Sequence, residues 1–228
     1  MGITFNGFGI SVKGKNKTLN QDYYLLRHFK NVFLMVVCDG LGSKKFSHIG
    51  AKYLAKSLAA ILKRKQFDFD DLAKSESILL NFWQEHINKL DLNIKECSTT
   101  LLCAIIGEKY AYFGRVGDGV IVVFADTTYI LEDKGEFSNV TTPFSFQAMK
   151  WLQLDSSSIK AIGLCSDGIS EIIDSQHTEA FFSEYISEYK KMDSCIRKTE
   201  IRAWLNNFNN KGFCDDKSIV VAWRMRCK

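Results

Sequence analysis

Three stretches of this 228-residue chain set an aspartate at the end of an apolar run or just ahead of one. They are Val36-Val37-Cys38-Asp39-Gly40, Ile162-Gly163-Leu164-Cys165-Ser166-Asp167-Gly168, and Cys214-Asp215-Asp216 before Ile219-Val220-Val221-Ala222-Trp223. Carboxylates delivered by strand ends, beside glycines that let backbone come close to a ligand, are donors that hard divalent cations accept. Asp22, at the entrance to another apolar segment, and Asp118, between Gly117 and Gly119, offer the same chemistry. A single Asp-Gly is ordinarily a turn. Repetition at strand ends argues for one shared site, because unpaired carboxylates gathered on one edge repel unless a cation lies among them.

The elements that must position these acids follow from periodicity. Residues 3–12 read as a bent strand and 13–20 as a polar loop. Val32 to Cys38 is a strong strand that delivers Asp39. Ser47 is a candidate N-cap for a helix reaching Lys63, and a second helical pattern runs from Asp70 to Leu92. The period then shortens to four strands, Thr99 to Ile106, Tyr110 to Val116, Val120 to Ala125 and Thr128 to Glu132, read as an antiparallel meander. Residues 133–158 look irregular. Ile159 to Cys165 is a strand, 177–210 hold two helices, and a strand at Ile219 to Trp223 returns to the first half. This order lacks the regular alternation of a doubly wound fold and predicts an α+β domain over residues 1–228, with antiparallel sheets covered by helices.

Composition narrows the class. The chain is 46% hydrophobic with a formal net charge of +4, and its Lys/Arg clusters are short. A nucleic-acid binder would carry a stronger basic stripe, so no nucleic-acid partner is expected. Seven cysteines, several inside apolar runs (Cys38, Cys103, Cys165), suggest free thiols in a reducing cytoplasm. No run approaches the ~20 apolar residues of a membrane span, so no membrane partner is expected.

Six segments taken in order resemble the type 2C metal-dependent serine/threonine protein phosphatases. They are Asn20-Gln21-Asp22, Val37-Cys38-Asp39-Gly40-Leu41-Gly42-Ser43, Ser98-Thr99-Thr100, Arg115-Val116-Gly117-Asp118-Gly119, Leu164-Cys165-Ser166-Asp167-Gly168 and Asp215-Asp216-Lys217-Ser218. Each is weak alone, but the ordered set is specific. Ser43 to Ala51, with Ser47, Gly50 and Ala51, looks most like the small bacterial branch.

The resemblance implies a sandwich of two antiparallel sheets flanked by helices on both outer faces, with a site for two Mn2+ or Mg2+ ions at one edge. Asp39 would bridge both ions. The Gly40 carbonyl and Asp22, through water, would serve one, Asp167 and Asp215 the other, and Asp118 a third, weaker ion. A water activated by the two metals would attack phosphorus in line. The implied partners are a phosphorylated protein and a serine/threonine kinase, for a monomeric cytoplasmic enzyme of bacterial signalling. Lys17 occupies the place of the family's phosphate-binding arginine; it is a point charge rather than a fork. Gln21 replaces a glutamate, Leu41 a histidine credited with protonating the leaving group, and Gly119-Val120 a Ser-Arg pair.

Competing motifs fall away on their own residues. Gly9 to Asn16 nearly spells a phosphate-binding P-loop, but Asn16 replaces the Ser/Thr and no helix follows. Cys38 lacks an arginine six residues on, where Lys44 stands, and no Cys-x-x-Cys or paired histidines suggest zinc. Two other functions stay open at this level: a regulatory module that kept the fold with little catalysis, and a small-metabolite phosphohydrolase using the same site.

Overall fold

Every residue of strand β3 (Phe33–Cys38) is buried, which is why it reads as an unbroken apolar run. The strand alternates between two cores. Phe33, Met35 and Val37 enter the layer between two sheets, while Leu34, Val36 and Cys38 pack on the other side beneath helices. β4 (Leu101–Ile106) divides in the same way, with Leu102, Ala104 and Ile106 inward and Leu101, Cys103 and Ile105 outward.

The protein, described here from a computed structural model covering residues 4–132, 143–144, 148–210 and 212–225, is an α+β sandwich. One sheet has the order β2 (Tyr23–His28), β3, β4, β5 (Tyr110–Val116), β8 (Lys150–Asp155). The other has the order β1 (Phe5–Val12), β10 (Lys217–Arg224), β9 (Ala161–Cys165), β6 (Val120–Phe124), β7 (Thr128–Leu131). All neighbouring strands are antiparallel. Helices α1 (Ser47–Lys63) and α2 (Leu72–Asn88) cover the first sheet through Leu54, Leu58, Ile61, Leu79 and Trp83. α4 (Thr178–Tyr189) and α5 (Ser194–Asn210) cover the second through Phe182, Tyr185, Ile201 and Leu205, and the short α3 (Asp167–Ser170) follows β9.

Three expectations are corrected. The four strands after Ser98 are not one meander: β4 pairs with β5 in one sheet and β6 with β7 in the other. Gly117-Asp118-Gly119 is the corner where the chain changes sheets, and both glycines take positive φ, +88° and +93°, which L side chains disfavour. The region read as irregular contains β8, an edge strand with half-buried and exposed positions that gives little apolar signal. Of the rest of 133–158, residues 133–142 and 145–147 lie outside the described residues. Finally, Ser47 does not cap α1. Phe46 holds that position with no side-chain cap, and the buried Ser47 hydroxyl donates to the Lys44 carbonyl at 3.1 Å and accepts from Gln21 Nε2 at 2.6 Å. α2 is capped by Asp71, which accepts from the Lys74 N–H at 2.9 Å.

Candidate metal centre

Asp39 leaves β3 pinned on its neighbour strand. Its N–H donates to Thr100 Oγ1 at 2.9 Å, and its carbonyl accepts from the Thr100 N–H at 2.8 Å and from Thr99 Oγ1 at 2.7 Å. Gly40 then forms a bridge with Thr99 and donates its N–H to the Gln21 carbonyl at 3.3 Å. The sheet-changing corner brings Asp118 to the same edge, and the end of β9 brings Asp167. One carboxylate oxygen from each of Asp39, Asp118 and Asp167 lies within 4.8 Å of the others. At an effective dielectric of about 20, two unit charges at that spacing repel by on the order of 3 kcal/mol.

Burial sharpens the conflict. It is the main reason the Asp39 carboxyl sits well above the usual carboxylate range, with the charges of Asp22 and Asp167 adding to the shift. Asp167 is raised chiefly by burial too, with Asp118 and Asp215 contributing, although its own oxygen accepts the Gly168 N–H at 2.6 Å. Asp22 is pushed up to about 7 by burial, against the Ser218 and Ser166 hydroxyls that favour its charge. Its Oδ2 accepts from Ser166 Oγ at 2.8 Å, while its buried Oδ1 has no hydrogen-bond partner. Crowded, costly carboxylates and an orphaned buried oxygen are what a hard divalent cation with its waters would satisfy, so the donor set fits Mn2+ or Mg2+.

Asp215 and Lys17 stand differently. The Asp215 side chain is 46% exposed, lies outside the three-acid group, and forms an ion pair with Lys17 Nζ. Lys17 Nζ also contacts Asp216 Oδ2 at 3.2 Å. Burial works to lower the Lys17 pKa, but Asp215 and Asp216 outweigh it and hold the ammonium above its ordinary range. Asp216 is buried and fastens the polar loop, accepting the Gly14 N–H at 2.7 Å and the Gln21 N–H at 2.8 Å. Lys217 is fully buried and donates to the carbonyls of Phe213 and Asp215 at 2.6 and 2.7 Å.

A protein phosphatase 2C family model matches residues 13–208. The chain belongs to the protein phosphatase 2C family. Within this family, a protein phosphatase candidate of Mycoplasma genitalium is 21% identical over 226 residues, covering 82% of this chain and 85% of that one. The fold matches a bacterial serine phosphatase (TM-score 0.71, 16% identity, 98% of this chain and 99% of that one). It also matches the catalytic domain of the serine/threonine phosphatase PstP in complex with two manganese ions (TM-score 0.69, 15% identity, 98% and 100%). A third match is the phosphatase Stp1 of Staphylococcus aureus (TM-score 0.69, 15% identity, 99% and 97%).

In this phosphatase 2C domain the acids are flanked by two cavities of opposite charge. One, of about 230 Å3, is lined by Asp118, Asp167, Glu132 and Glu171. Glu171 is raised first by burial and then by Asp167, Asp215 and Asp118; it follows Asp167 by one helical turn, a spacing that could have flagged it in the sequence. The other, of about 510 Å3, is lined by Lys17, Gln21, Gly42 and Lys44 among others. A larger cavity of about 790 Å3, around Phe67, Phe69 and Phe82, contains none of the acids. Thr99, Thr100 and Ser166 fall within motif segments, yet their hold on Asp39 and Asp22 depends on cross-strand register that no local pattern displays.

Proposed function

We propose that this serine/threonine protein phosphatase hydrolyses phosphoserine and phosphothreonine esters on proteins using two Mn2+ or Mg2+ ions held by Asp39, Gly40, Asp22, Asp167 and Asp215, with Asp118 serving a third, weaker ion. The carrying observation is the convergence of Asp39, Asp118 and Asp167 within 4.8 Å at one sandwich edge of a phosphatase 2C chain. When bound, such ions lower the pKa of a water and neutralise phosphoryl oxygens. Everything else falls to the protein. The Thr99 and Thr100 hydrogen bonds fix Asp39 before any ligand arrives. Ser166 orients Asp22 through Oδ2 and leaves Oδ1 as an acceptor, by which Asp22 would serve an ion through water. Asp215 would be among the carboxylates that hold a cation, and Lys17, paired here with Asp215 and Asp216, would supply the positive charge for the substrate phosphate.

The regulatory-module and small-metabolite readings are not favoured by the family match. Among the described residues no helix is long and apolar enough to cross a membrane. Cys38, Cys97, Cys103 and Cys165 are buried free thiols, which supports a reducing cytoplasm as the working compartment; the reading also takes the domain as a monomer that acts opposite a serine/threonine kinase. The test is turnover of phosphothreonine peptides with and without Mn2+ and a chelator. Metal-dependent release of phosphate supports the reading; none with Mn2+, Mg2+ or both removes it.

A further inference from the structure

The basic cavity beside the acids is built from the loop that carries Lys17 and the loop that follows Gly40. Lys17, Lys44 and Lys45 stand on its wall, and Glu96 is the one acid among its described lining residues. Glu96 is already engaged: its Oε2 accepts the Lys45 N–H at 3.2 Å, and its Oε1 lies 4.0 Å from Lys44 Nζ, the outer limit of an ion pair. The Lys45 ammonium lies over the Phe46 ring, 5.2 Å from its centroid, and the residue is exposed. Lys17 is held by Asp215 and Asp216, so the ammonium groups of Lys44 and Lys45 are left facing a single carboxylate that is shared with the backbone.

The position of this cavity gives the charge a use. On its lining, Gln21 directly precedes Asp22, Gly42 lies two residues after Gly40 and Lys17 pairs with Asp215, so the cavity opens beside the candidate metal centre. An extended peptide advances roughly 3.3–3.6 Å per residue, so a phosphoresidue at the acids puts a side chain one or two positions away within reach of this cavity. At about 510 Å3 it has room for such a side chain with its water.

We propose that the cavity is a subsite for an acidic side chain flanking the phosphoresidue, read by Lys44 and Lys45, so that acidic phosphopeptides are the preferred substrates. This rests on the phosphatase reading above. In the opposite cavity, Glu132 and Glu171, which the reading assigns to no ion, disfavour the same side chain and set the direction in which an acidic peptide lies.

The experiment measures kcat/KM of the Mn2+-loaded protein on three phosphothreonine peptides of equal length, flanked by glutamate, alanine or lysine, with p-nitrophenyl phosphate as a substrate that has no flank. The glutamate peptide should exceed the alanine peptide by about 3- to 10-fold, chiefly through KM, as expected for exposed charge pairs. That advantage should shrink at high salt. In the Lys44→Gln/Lys45→Gln variant the glutamate advantage should collapse toward one, while rates on the alanine peptide and p-nitrophenyl phosphate stay unchanged. Equal kcat/KM for the three peptides, or a glutamate preference that survives in the double variant, overturns the subsite. An unchanged p-nitrophenyl phosphate rate shows that the variant is folded, and Lys45→Gln alone provides a second variant. Failure of the wild type on every substrate sinks the phosphatase reading itself, a different result from loss of preference.

Discussion

Asp39 and Thr100 hold each other through two bonds: the Asp39 N–H donates to Thr100 Oγ1 at 2.9 Å, and the Thr100 N–H donates to the Asp39 carbonyl at 2.8 Å. The pair locks the end of β3 to the start of β4, so the acid's position depends on a hydroxyl one strand away.

Thr100→Val keeps the branched shape and removes the acceptor, leaving the Asp39 N–H unsatisfied. A loss of about 1–3 kcal/mol in stability is expected, together with weaker Mn2+ binding, while Thr100→Ser retains most of both. Chemical denaturation and Mn2+ titration check this; a valine variant as stable and as tight for Mn2+ as the wild type would show the hydroxyl to be idle.

Asp39→Asn and Asp167→Asn should abolish metal-dependent turnover. Each also removes a charge from a half-buried, mutually repelling group. In chelator, both variants should therefore melt at or above the wild-type temperature, and Asp39→Asn should lose the upward shift that Mn2+ gives the wild type. A variant that melts far below the wild type in chelator would mean the carboxylate supports the fold rather than strains it.

The metal-free protein should be less stable at pH 7.5 than at pH 5.5. Asp22 titrates near 7 in the folded state, and Asp39 and Asp167 are also raised, whereas unfolded carboxylates titrate near 4. Between those values the native state holds protons that the unfolded state has released, so stability falls as pH rises through the window. Thermal melts in chelator read this directly; a higher melting temperature at pH 7.5 would contradict it. Saturating Mn2+ should reduce or reverse the slope.

Gly50 lets α1 lie against the chain that leads into β4. A Cβ there would come within 1.8 Å of the Cys97 carbonyl oxygen, and the Gly50 carbonyl accepts Trp83 Nε1 at 3.0 Å. Gly50→Ala should cost about 1–3 kcal/mol or more, since the obstacle is backbone rather than a movable side chain. An unchanged denaturation midpoint would falsify this close packing.

Much of the architecture was legible because burial and period agree. β3 and β4 are core strands buried on both faces, and α1 keeps helical spacing from Ser47 to Lys63 as expected. Asp39, Asp118 and Asp167, the three acids that the fold brings together, could be picked out because each sits beside a glycine, whereas Asp22 and Asp215 stand just ahead of apolar segments. What stayed hidden depends on distance along the chain. β8 owes its place to pairing with β5 rather than to its own composition, and Gly117-Asp118-Gly119 looks like a hairpin turn while its flanking strands belong to different sheets. The ion pair that ties Lys17 to Asp215 joins residues nearly two hundred positions apart.

The corner at Gly117-Asp118-Gly119 acts as a caliper. Its three residues fix how far β5 stands from β6, and the same three residues carry the acid that faces Asp39 and Asp167. Thickness of the sandwich and aperture of the acid group are thereby one dimension. A core substitution that spread the sheets, even at Phe113 or Ile121 far from any ligand, would be read out as a change in the gap between carboxylates.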